Sequence, residues 1–122
     1  MAVVEIEAGV CGHRTTVSAA KIEGYIVRVT LESTCPHVQN IPGELQEVDA
    51  LQQIGLRSGL PPALRTAYAH CVHAACPVPS GLVKTIEVAS GLALPRDVVM
   101  RISRDEWGAP RPPAGDEVDS TT

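Results

Sequence analysis

The chain has 122 residues, a net charge of −4 and 44% hydrophobic residues, with no Phe, one Trp and two Tyr. This length suffices for one domain with a core of Val, Leu, Ile and Ala and no disulfide staples. Ten Lys and Arg are spread along the chain and rings are nearly absent, so neither the basic stripe nor the stacking platforms of a nucleic-acid binder are present, and no nucleic-acid partner is expected.

The segment Met1–Glu7 has no basic region followed by an apolar run, as a secretory signal would. Lys, Glu or Arg interrupts every apolar stretch before the ~20 residues that cross a bilayer. A cytoplasmic protein with no membrane partner is expected, its cysteines reduced. In that setting four cysteines read as metal or redox chemistry sooner than as a disulfide framework.

Val4, Ile6 and Ala8 alternate with Glu5 and Glu7, and Tyr25, Val27, Val29 and Leu31 alternate with Ile26, Arg28, Thr30 and Glu32. Period two predicts half-buried strands. A weaker strand over 15–19 turns back at 21–24, giving an antiparallel meander with Cys11-Gly12-His13 in its first turn, where Gly12 can supply a positive φ. Ile41, Leu45, Val48 and Leu51 then recur at helical steps and predict a helix, with Pro42-Gly43 weakening its start. After a loop over 55–59, Pro61-Pro62 opens a second helix with Leu64, Tyr68, Cys71 and Ala75 on one face, which ends at Cys76-Pro77. Ser80 is expected to cap a third helix with Leu82, Val83, Ile86 and Ala89 inward and Gly91 as its stop. Residues 97–102 read as a last strand. From residue 104 the composition turns to Pro, Gly, Asp, Glu, Ser and Thr, which predicts a disordered acidic tail over 104–122 beside a single domain over 1–103. The fold class expected is α+β, an antiparallel sheet of three or four strands with three helices on one face.

Four thiols carry the chemistry. Cys11 falls at a hairpin turn, Cys35 at the end of a strand, Cys71 and Cys76 around the end of a helix. Ligands from distant segments converge most readily at such element ends. In a continuous helix Cys71 and Cys76 would diverge, since five residues at ~100° each leave them ~140° apart; the break at Pro77 removes that objection. Four thiolates can hold Zn²⁺ tetrahedrally or bind an iron–sulfur cluster. One loose Cys-x4-Cys pair and two solitary cysteines do not match the paired knuckles of zinc ribbons. That favours a cluster, [4Fe–4S] ahead of [2Fe–2S], with zinc as the alternative. Four unrelated buried thiols remain the bland reading, which Cys71 fits well.

His13, His37, His70 and His73 each lie within three residues of a cysteine. They could ligate directly, hydrogen-bond a ligand, or tune a thiol. Thiol catalysis is a further alternative, because Cys35 before Pro36 and Cys76 before Pro77 could each stand at a helix N-terminus, whose dipole favours thiolate. Neither belongs to a Cys-x-x-Cys motif, and no Gly-x-Ser-x-Gly or phosphate loop is present.

The segments "AGVCGH", "STCPHVQNI" and "HCVHAACPVPSGLVKTIEVASGLALPRDV" together resemble a small, functionally uncharacterised family of prokaryotic proteins, a domain of unknown function carried largely by anaerobes. The resemblance covers residues 3–103. It implies a short single-domain protein with cysteines at 11, 35, 71 and 76, and no activity that can be carried over. An anaerobic setting would suit an oxygen-sensitive cluster. The chain departs from the family at Asn40-Ile41-Pro42-Gly43 and in its tail. The expectation is therefore a metal-binding protein with Cys11, Cys35, Cys71 and Cys76 around a cluster. It would act in electron transfer, or as an accessory or delivery factor to a redox or metalloenzyme partner, rather than as an enzyme. A zinc-binding interaction module and a thiol-dependent redox protein are the alternatives.

Overall fold

The computed structural model describes residues 1–43 and 45–104. Strands β1 (Ala2–Glu7), β2 (Arg14–Glu23), β3 (Ile26–Ser33) and β4 (Glu47–Asp49) form one antiparallel sheet in sequence order. The register stacks the inward residues in rows: Val4 faces Val17, which faces Leu31, and Ala2 faces Ala19, which faces Val29. Val3, Glu5, Arg28 and Thr30 point to the other, solvated face. The alternation written in β1–β3 is therefore realised as one buried and one wet surface.

Helices α1 (Pro62–His70) and α2 (Val78–Ala89) and a 3₁₀ helix (Val38–Gly43) cover the inner face, so the fold is α+β. Leu82 and Ile86 of α2 are fully buried against the sheet, beside Val38 and Ile41 of the 3₁₀ helix and Ala63 and Ala67 of α1. Each such Leu or Ile contributes ~1.5–3 kcal/mol by leaving water. Gly81 lets α2 approach β1 closely: a Cβ there would run into Ile6 Cδ1. The Gly91 stop is made as expected. With φ at 84°, Gly91 donates its N–H to Val88 O at 3.1 Å, and Leu92 donates to Glu87 O at 2.8 Å, closing the left-handed terminus.

Four local expectations are corrected. The helix expected at Ile41–Leu51 is instead the 3₁₀ helix, then β4, then a single 3₁₀ turn over Ala50–Gln52. Pro42 lacks a donor and Gly43 is a poor helix former, while the free edge of β3 pairs with 47–49. Ile41, Leu45 and Val48 are buried all the same, and Leu51 is exposed. α1 stops at His70, with Cys71 as its extended C-cap, and it buries Ala63 and Ala67 rather than Leu64 and Tyr68. α2 starts at Val78 behind Pro77, so Ser80 lies inside the helix and its hydroxyl donates back to Pro77 O at 3.4 Å. Residues 97–102 form no strand. Val98, Val99 and Met100 are all exposed, and a run without alternation offers no single face to bury. Apart from Arg104, the expected tail lies outside the described residues.

Helix α1 begins with two prolines and has no side-chain cap of its own. Buried Gln53, 3% exposed, supplies one from ten residues away. Its Oε1 accepts the Ala63 N–H at 2.7 Å while its Nε2 donates to Asp49 O at 3.3 Å. Gln53→Leu leaves that buried N–H unsatisfied and should cost ~1–3 kcal/mol in urea unfolding; an unchanged midpoint would show the bond to be immaterial.

Candidate metal centre

The meander fixes which loops meet. β1 ends at Glu7, β2 begins at Arg14 opposite it, and β3 ends at Ser33 opposite Thr15, so the β1–β2 hairpin and the exit from β3 lie side by side at one end of the sheet. Cys11 sits in that hairpin, closed by Ala8 N–H to His13 O at 3.1 Å and Gly12 N–H to Gly9 O at 2.8 Å. Gly9 and Gly12 hold φ values of 88° and 75°, which other residues rarely adopt.

Cys35 follows β3 and is firmly held. Its N–H donates to Ser33 Oγ at 3.0 Å, and its carbonyl accepts Gln39 N–H at 3.1 Å. The Gln39 side chain in turn donates to Ser33 O at 2.7 Å, and Ser33 Oγ meets Thr15 Oγ1 at 2.8 Å. Thr34 ties the two loops together: its N–H donates to Arg14 O at 3.0 Å, and its hydroxyl accepts Arg14 N–H at 3.1 Å and lies 3.0 Å from His13 Nδ1. Ser33, Thr34 and Gln39 escape a reading centred on thiols and imidazoles. The Ser-Thr pair directly before a cysteine at a strand end was the available signal.

The early end of α1 brings Cys71 and Cys76 together. Cys71 is extended, at φ −81° and ψ 141°, and a turn closed by Cys76 N–H to His73 O at 3.2 Å returns the chain to α2. Gly81 stands against Ile6 near the end of β1, so the first turn of α2, with Cys76 just before it, lies at the hairpin end of the sheet. The Cys71 thiol hydrogen-bonds to the Cys76 sulfur, and Cys35 lies within electrostatic reach of Cys71. All three are half-buried and pack on the core, whereas Cys11 is exposed. Cys71 and Cys76 are thus neighbours, Cys35 lies within electrostatic reach of them, and Cys11 is on the β1–β2 hairpin.

A family pattern matches residues 2–102, the span in which all four cysteines lie. The chain belongs to DUF6951, a family of unknown function. No curated protein and no solved structure matches it. The span agrees with the extent read from the motifs.

In this DUF6951 chain the Cys71 thiol has a definite electrostatic character. Burial first, then the hydrogen bond and charge of Cys76 and the charge of Cys35, push the Cys71 thiol from the ordinary 9.0 up to about 12. Cys71 is therefore protonated at neutral pH in the metal-free protein, the opposite of an activated nucleophile. Cys76 does stand at the N-terminus of α2, but Cys35 precedes only the six-residue 3₁₀ helix. Of the histidines, His13 has one ring nitrogen engaged by Thr34, His37 and His73 are exposed, and His70 is the half-buried last residue of α1. Among the described residues no group of three or more His, Cys, Asp or Glu side chains is already arranged to hold a metal ion. The donor chemistry nevertheless suits a soft cation: adjacent thiols that cannot all ionise alone can do so around a positive charge. Among the described residues no helix is long and apolar enough to cross a membrane.

Proposed function

We propose that the chain is a metal-binding protein whose centre is held by Cys11, Cys35, Cys71 and Cys76, an iron–sulfur cluster being the first reading. Its role is electron transfer, or accessory or delivery service to a redox or metalloenzyme partner. What supports this reading is that Cys71 and Cys76, around the α1–α2 loop, interact directly and that Cys35, at the β3 exit, lies within electrostatic reach of Cys71, all three being half-buried against the core. Cys35 and Cys76 each precede a proline, and the bacterial ferredoxin cysteine run ends in the same pairing.

One observation favours zinc as the second reading. Two thiolates on the same tetrahedral metal atom, with bonds of ~2.3 Å, lie ~3.8 Å apart, and Cys71 and Cys76 are close enough to interact directly. Metal and acid-labile sulfide analysis of protein purified without oxygen tests both. Iron and sulfide in near-equal amounts, with visible sulfur-to-iron absorption, is the expected result. Stoichiometric zinc without sulfide would replace the cluster by a zinc module, and protein free of metal that also takes up none on anaerobic reconstitution would overturn both.

A further inference from the structure

Beyond α2 the chain presents apolar side chains to water. Val98, Val99, Met100 and Ile102 are between 60% and 88% exposed, and among the described residues no strand of the sheet takes them up. This segment lies within the DUF6951 match over 2–102. The sheet meanwhile has an open side. Its strands run in the order β1-β2-β3-β4, so among the described residues β1 pairs only with β2. The six residues of β1 make a longer edge than the three of β4, and an unpaired row of N–H and C=O groups is a template for another strand.

Edge and segment match residue by residue. Laid parallel to β1 with Val98 beside Ala2, the segment sets Met100 beside Val4 and Ile102 beside Ile6 on the inner face, where β1 is buried or half-buried. On the wet face it sets Val99 beside the exposed Val3 and Arg101 beside Glu5. Val99 is the residue that spoils the alternation of the segment on its own, and Val3 is the same exception in β1. The antiparallel register that also pairs Arg101 with Glu5 puts Val99 against Glu7 and Val3 against Ser103, and so loses the apolar pair. Such apolar and opposite-charge neighbours on adjacent strands are the unit of sheet stabilisation.

We propose that the chain pairs with a second copy of itself by exchanging this segment: residues 97–102 of each copy extend the other's sheet as a parallel fifth strand along β1. In the single chain the segment stands in water rather than on β1, and a second copy brings the two surfaces together. The exchange is reciprocal, so it closes on a two-fold axis and leaves neither long edge open. It is independent of the metal centre.

Light scattering on the full chain should give a mass near twice the 12.9 kDa of one protomer. Met100→Asp, which places a charge on the apolar side of the added strand, should raise the dimer dissociation constant by about tenfold or more. Its circular dichroism should match the parent's, because Met100 is exposed in the single chain. Glu5→Arg and Arg101→Glu should each weaken the dimer by about fivefold or more, and the double variant should return to within about twofold of the parent. A parent of single-chain mass at every concentration would overturn the proposal, and protection of amides 98–102 from hydrogen exchange in that monomer would mean that the segment closes on its own β1. A dimer indifferent to Met100→Asp would place the interface elsewhere, and a double variant no better than the single ones would take the segment off β1; either result also overturns it.

Discussion

Cys71→Ser, Cys76→Ser and Cys35→Ser should each weaken metal binding by ~100-fold or more, since even changes outside the ligand set typically cost 10–100-fold. The same changes should leave the metal-free fold nearly intact, because each side chain is only half-buried and serine keeps its size. A chelator competition followed by thermal unfolding separates these effects. With chelator present, parent and variants should melt within a few degrees of each other. With metal at a thousandfold excess over its dissociation constant the parent should gain ~4 kcal/mol, which for a domain of this size is a rise of ~15–30 °C. A variant that keeps this rise would show its cysteine to be a bystander. Variants that melt early even without metal would show the cysteine to be a core residue, as the bland reading of Cys71 would have it.

What was legible in the sequence follows from how each signal arises. The strands could be read because Val4, Val17, Val27 and Val29 alternate with polar residues, and period two marks a strand with one face inward. The segment 41–51 misleads because Ile41, Leu45 and Val48 are buried from a 3₁₀ helix, a loop and a strand in turn. Helical spacing records which residues go inside, not the backbone that carries them. In α1 the large residues Leu64 and Tyr68 outweigh Ala63 and Ala67 in the pattern, although a helix that packs closely on another buries its small side chains. Of the candidate site, the four cysteines and their positions at element ends were legible. Their unequal burial was not, because that depends on α1 stopping at His70 and on which thiols the core covers, and both are set by tertiary packing. The network of Ser33, Thr34 and Gln39 around Cys35 depends likewise on β2 and β3 meeting in register.

Metal affinity should rise steeply with pH, by about tenfold per unit or more between pH 6 and 8. A thiol must lose its proton to ligate. Cys71, pushed up to about 12 by burial and by the neighbouring Cys76 and Cys35, still carries its proton throughout that range. Its release alone sets a slope of one proton per metal bound, which is ~1.4 kcal/mol per pH unit, and any further protonated ligand steepens it. The sign is fixed, since acid returns the proton and expels the metal. In the metal-free protein the same shift acts the other way. The folded chain holds the Cys71 proton more tightly than the unfolded chain, so this contribution to stability is complete below pH 9 and is lost as pH rises to about 12. Isothermal titration with the metal in two buffers of different ionisation heat counts the protons directly, and competition against a chelator at pH 6, 7 and 8 gives the slope. An affinity independent of pH, with no proton released, would mean that Cys71 is not a ligand and that the cluster of thiols has some other purpose.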